Sequence, residues 1–143
     1  MAIANLHEII QASLMRKAAI ELEISQLQSQ KSLAIYSQGD IQSLMSSEKN
    51  AVRAKFKELF KESPELQEQY LDYTEIPDFE VELDKVVAKY QEELEEMTAW
   101  ETVIDAQITT NSTELEELKA YIQSYKEMLT SNIKDDFEYG LGG

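Results

Sequence analysis

From the second proline onward the chain keeps one helical phase for most of its length. Apolar or neutral residues recur at Leu83, Val87, Tyr90, Leu94, Met97, Trp100, Ile104, Ile108, Asn111, Leu115, Leu118, Ile122, Tyr125, Leu129, Ile133 and Phe137. Fifteen steps span 54 residues, a mean of 3.6, which is the repeat of an α-helix. Neither Gly nor Pro interrupts the run between Pro77 and Gly140. This predicts a single helix over 78–138, whose periodic part alone is about 80 Å long at the helical rise. Such a helix exceeds the diameter of a compact domain of this chain length. It must project, pair with another chain, or both.

One stretch argues against continuity. Thr109-Thr110-Asn111-Ser112 is a poor helix former, and Thr113 with Glu116 three residues on fits a capping box. Because the apolar phase survives across the tetrad, continuity is the stronger expectation. A bend at 109–112 stays open. Gly140-Leu141-Gly142-Gly143 is expected to end the helix, leaving 139–143 as a flexible tail.

Upstream, Leu6, Ile10, Leu14, Ile20, Ile24, Leu27 and Ala34 form a helical row that predicts a first helix over 3–38. Gly39-Asp40 reads as a turn, with Gly as C-cap and Asp as the next N-cap. A second helix follows to Glu62, with Leu44, Met45, Val52, Phe56, Leu59 and Phe60 on its buried side. Ser63-Pro64 is an N-cap with Pro at the first helical position, opening a short helix through Tyr73. Ile76 is pushed towards extended geometry by Pro77, and Pro77 itself opens the long helix. Residues 40–77 thus form a helical knob at one end of an antiparallel pair. The whole of 1–143 is expected to be one domain.

Composition agrees with an all-α chain. There are only four Gly and two Pro, apolar residues make up 43% and charged residues 29%. The net charge of −15 is unevenly placed. Residues 1–63 hold seven acids and eight bases, so the second part holds the other 21 acids and five bases. Phosphate backbones and anionic lipid surfaces are repelled by that second part, which argues against nucleic-acid and membrane partners. The absence of Cys excludes disulfides and thiolate metal sites but leaves the compartment undetermined. Residues 1–7 lack the basic and apolar regions of a classical signal peptide, so the chain is expected to be cytoplasmic or exported by another route.

Candidate chemistry is thin. His7 is the only histidine, and no Glu-x-x-His repeat of the di-iron bundle type exists, so no metal or cofactor is expected. Glu92, Glu93, Glu95 and Glu96 are dense enough to suggest acid/base pairs, but pairs of that kind need desolvation that a polar helix face does not give. A solvated face is the better reading. Lys49, Arg53, Lys57 and Lys61 lie four apart and form a basic stripe with Lys55 near it. It either grips a nucleic acid or an acidic partner, or faces the chain's own acidic part, or that of a neighbouring copy, in surface pairs. Tyr90, Tyr125 and Trp100 are read as core anchors, whereas Tyr36, Tyr70, Tyr73, Phe79, Tyr121 and Tyr139 fall off the stripe and are candidates for protein contacts. The terminal Gly-Gly resembles that of ubiquitin-like modifiers, but no β-grasp pattern precedes it.

The segment from Trp100 through Leu118, with Asp105, Gln107, Thr110 and Glu114, and the Asn132-Ile133-x-x-x-Phe137 ending, resemble the ends of small helical bacterial proteins of the flagellin-like and type III secretion-related kind. The resemblance covers about a third of the chain. It implies terminal helices paired as a coiled coil, a variable knob between them, and a secreted filament or secretion-apparatus role.

These readings converge on an elongated antiparallel helical hairpin that is not an enzyme. Its expected role is a structural or assembly subunit that pairs with copies of itself or with a helical protein. The expected interface is Leu94, Met97, Trp100, Ile104, Ile108, Leu115, Leu118, Ile122, Tyr125, Leu129, Ile133 and Phe137. The alternative is an adaptor or secretion-chaperone-like module that presents the knob.

Overall fold

A computed structural model describes the backbone of residues 2–142 and the side chains of residues 2–137. The chain is all-α, with no strand among the described residues. Its elements are α1 (Ile3–Glu62), α2 (Pro64–Gln69), a 3-10 turn (Tyr73–Glu75) and α3 (Pro77–Gly142). Contacts divide it into two units, residues 1–31 with 103–143, and residues 32–102. In each unit a stretch of α1 runs antiparallel to a stretch of α3, so the fold is a helical hairpin.

The expected break at Gly39-Asp40 is absent, and α1 passes through both residues. A Gly C-cap needs the left-handed conformation, and no described glycine has positive φ. Packing decides the matter. Ala34 is buried on one side of Gly39, the Gln38 amide donates to Glu101 at 2.8 Å, and Ile41 and Met45 are partly buried on the other side. These contacts outweigh the roughly 1 kcal/mol that Gly costs within a helix. The expected knob over 40–77 therefore shrinks to the connector between Glu62 and Pro77. Leu44 and Leu59, expected to be buried, are exposed.

The connector follows local rules. Ser63 caps α2, its hydroxyl accepting from the Leu66 N–H, and Pro64 holds the first helical position. α2 stops at Gln69 rather than continuing to Tyr73, because Tyr70 is already extended at φ −125°, ψ 149°. Asp72 then caps the 3-10 turn through the Tyr73 N–H at 2.9 Å. Ile76, at φ −66° and ψ 124°, is extended ahead of Pro77, which opens α3.

α3 is continuous through 109–112. The threonine hydroxyls that weaken local propensity point back along the helix: Thr110 donates to the Ala106 carbonyl and Thr113 to the Thr109 carbonyl, both at 3.0 Å. Thr113 is thereby used inside the helix, and the capping box does not form. At the far end α3 runs to Gly142, past the expected stop at 138, so 139–142 are helical backbone rather than a tail. Gly143 and the Tyr139 side chain lie outside the described residues.

In the unit of residues 32–102 the core gathers at the connector. Phe56, Ile76 and Phe79 are buried together, with Val52, Phe60, Leu66, Tyr70, Tyr73 and Leu83 packed around them. Phe79 meets Phe56 and Tyr73 edge-on, at centroid distances of 5.5 and 5.3 Å. Tyr70, Tyr73 and Phe79, expected as exposed contact residues, thus belong to this core. The connector turns Tyr70 and Tyr73 inward, whereas Phe79 stands on α3 four residues before Leu83, in phase with the stripe. In the other unit the buried residues are the aliphatics Leu6, Ile10, Ile20, Ile104 and Ile122, strung along the helix pair.

Candidate functional site

The apolar stripe of α3 is largely an internal seam. Ile104 and Ile122 are buried, and Leu94, Met97, Trp100, Ile108, Leu115, Leu118, Tyr125 and Leu129 are partly buried. In each unit the element covering them is the facing stretch of α1. Only the last two members of the expected interface are exposed, Ile133 by half and Phe137 by two-thirds.

Polar ties flank the seam and fix its register. In the unit of residues 1–31 and 103–143, the Arg16 guanidinium donates through two nitrogens to one Glu114 oxygen, at 2.8 and 3.2 Å. Asn111 donates to Glu23 at 3.1 Å, and Lys31 pairs with Asp105 at 2.8 Å. The Glu114 bond, reinforced by its charge, raises the Arg16 pKa above the usual arginine value. Asp105 and Glu114, two of the polar residues that carry the terminal resemblance, therefore work inside the chain. Gln107, a third, lines an open polar groove with Glu23, Gln26, Leu27, Gln30 and Asn111. That groove offers hydrogen-bonding groups but no nucleophile paired with a base.

In the unit of residues 32–102, Lys55 pairs with Glu82 and Lys89 with Glu48, both at 3.0 Å. The Tyr90 hydroxyl also donates to Glu48. Hydrogen bonds from Tyr90 and then from Lys89 hold the Glu48 carboxyl below the ordinary carboxylate range. The Glu48 bond, followed by burial, raises the Tyr90 pKa, and the same carboxylate raises that of Lys89. Lys89 also lies 5.0 Å from the centre of the Tyr90 ring.

The basic stripe is exposed at Arg53, Lys57 and Lys61 and partly buried at Lys49. No ion pair joins it to the chain's acidic part among the described residues. Arg53 donates to Asn50 of its own helix at 2.9 Å, and Lys57 sits 5.6 Å from the Tyr73 ring centre. The expected pairing with the chain's own carboxylates is therefore not made by the stripe itself. Lys55, to one side of it, makes such a pair. The stripe projects outward while Lys55 and Glu48 sit on the flank that meets α3.

His7 is exposed, as are Glu92, Glu93, Glu95 and Glu96, which form a solvated face. Among the described residues no three His, Asp or Glu side chains are placed to hold a metal ion. No described helix is long and apolar enough to cross a membrane.

Sequence reasoning missed a second apolar row. Met15, Leu22, Leu33, Tyr36 and Leu44 of α1 are all more than half exposed, as are Val103 and Tyr121 of α3. Their spacing was the available signal, but assigning one apolar row to each helix hid it. No family model matches the sequence, and no match was found among curated proteins or solved structures.

Proposed function

We propose that this chain is a non-enzymatic structural or assembly subunit that pairs its helices with those of other copies, or with a helical protein partner. One observation carries this reading. Large hydrophobic side chains stay exposed on both long helices, away from the seam that the helices share. A helix in a hairpin has one covered face, so apolar residues on the opposite face call for another helix layer. The reading moves the contact surface from the α3 stripe, which the chain itself covers, to the outward faces and to Ile133 and Phe137. Within this class, a secreted filament or secretion-apparatus component is the form that the resemblance of the chain's end favours.

A second reading is a helical adaptor or secretion-chaperone-like module. It is favoured by the connector unit, where Leu71 is 91% exposed and the basic stripe lacks acidic partners among the described residues. Light scattering coupled to size exclusion, run over a wide range of protein and salt concentration, tests the first reading. The expected result is a molar mass that rises with protein concentration and persists in high salt, since apolar contacts are little screened. A monomer under all conditions would sink it.

A further inference from the structure

We infer that the basic stripe of α1 meets the acidic face of α3 on a second copy of this chain. The inference rests on the assembly reading and adds a charged contact to its apolar ones.

Both surfaces belong to the unit of residues 32–102. On α1, Arg53, Lys57 and Lys61 are exposed and follow one another every four residues, a rise of about 6 Å, within a sector of about 80°. Lys57 and Lys55 stand about 100° to either side of the buried Phe56. Lys55 is on the side that reaches α3, where it pairs with Glu82. The stripe is on the other side, and among the described residues none of its exposed cations has a carboxylate partner. On α3, Glu92 and Glu96 are exposed and again four residues apart. Each is two residues from the partly buried Leu94, hence about 160° round the helix from it, so the two face away from α1. Glu93 and Glu95 flank them, and no cation pairs with any of the four among the described residues.

The occupant follows from charge and spacing. One copy carries a row of cations and a row of carboxylates that its own fold keeps apart. Two copies can bring these rows together at equal intervals, with Arg53 and Lys57, or Lys57 and Lys61, matching Glu92 and Glu96 one to one. A single exposed pair contributes little, and complementary rows act mainly by steering the encounter and fixing its register. The apolar contacts of the assembly reading supply persistence. Because the two patches differ, the contact is heterologous and repeats from copy to copy.

Sedimentation equilibrium on full chains with reversed charges tests this. Arg53→Glu with Lys61→Glu reverses the stripe and leaves Lys57 on the Tyr73 ring, while Glu92→Lys with Glu96→Lys reverses the acidic face. Circular dichroism checks that each variant keeps its helix. Should a reversal unfold the chain, Arg53→Gln with Lys61→Gln provides a milder change, expected to weaken association in the same direction. Each reversed chain alone is expected to self-associate about tenfold more weakly than wild type at low salt, because like charges then face each other. An equimolar mixture of the two should recover the wild-type strength, since the reversed stripe of one fits the reversed face of the other. High salt should weaken the wild type without making it monomeric.

The failures are separable. A wild-type chain that stays monomeric removes the assembly reading and this inference together. Reversed chains that associate like the wild type, or a mixture as weak as its parts, overturn the inference and leave the assembly reading in place. Reversal of the acidic face cuts the net charge of −15 by four, so general repulsion alone would strengthen association. A Glu92→Lys, Glu96→Lys chain that associates more strongly than wild type therefore also overturns the inference.

Discussion

The two units solve the same packing problem with different means. Residues 32–102 close a connector over an aromatic cluster, in which Phe56, Ile76 and Phe79 take contacts from α1, α2, the 3-10 turn and α3. Residues 1–31 and 103–143 have no such convergence. They hold together as a line of aliphatics with ion pairs beside it, Arg16 with Glu114 and Lys31 with Asp105, whose side chains are a third to a half exposed. Exposed pairs of this kind are screened by solvent and contribute little, so the apolar line carries that unit. Stability in the first unit is concentrated, and in the second it is distributed.

Replacing Phe79 by Ala gives the largest expected effect. It removes a buried ring with two edge-on partners, and a loss of about 3–5 kcal/mol in urea unfolding is expected. Native-state hydrogen exchange should place the damage in 32–102. Equal loss of protection in both units would break the comparison, because it would mean that they open together. Ile104→Ala is the matching change in the distributed unit. Ile104 is almost wholly buried, but it faces only one helix, which can settle into the gap. About 2–3 kcal/mol is expected, with exchange rising first in 103–137 and 2–31.

Gly39→Ala should act in the opposite direction. Gly39 has a right-handed helical backbone, and a Cβ built on it meets nothing within 4 Å. Neither close approach nor positive φ requires a glycine there. Alanine should stabilise the chain by about 0.5–1 kcal/mol, seen as a higher melting temperature. A lower melting temperature would show that the glycine serves a contact outside the isolated chain.

The same residue shows what the sequence makes legible. Ser63-Pro64 and Ile76-Pro77 announce their geometry because capping and pre-proline sterics act over one or two residues. The phase of α3 is legible because period is a property of the whole run, which the Thr109–Ser112 tetrad cannot cancel. Gly39 misleads because its local signal competes with contacts from α3 that no local window contains. Burial of Tyr73 is hidden for a related reason: it turns inward only once the connector has closed. Among the candidate contact residues, the basic stripe is legible as a row of charge, but which side of it meets α3 is not. Asp105 and Glu114 are visible as polar positions, yet their partners Lys31 and Arg16 appear only with the register.

The smallest expected effect concerns pH, and it probes a polar contact that reaches into the seam of the 32–102 unit. Glu48 accepts hydrogen bonds from Tyr90 and Lys89, and its folded pKa lies below its unfolded value. Its contribution is therefore present above the ordinary carboxylate range, near pH 4.3, and is lost as pH falls through the lower folded value. Tyr90 is shifted upward, so its contribution is present below its ordinary value near pH 10 and is lost as pH rises beyond the folded one. Tyr90→Phe keeps the buried ring and removes the hydroxyl. Because that hydroxyl is the larger cause of the Glu48 shift, carboxyl NMR should show Glu48 titrating closer to the ordinary range in this variant. Lys89→Ala should move it by less. If Lys89→Ala moves it more, the exposed ammonium dominates, and the tie belongs with the surface pairs of the other unit rather than with the seam.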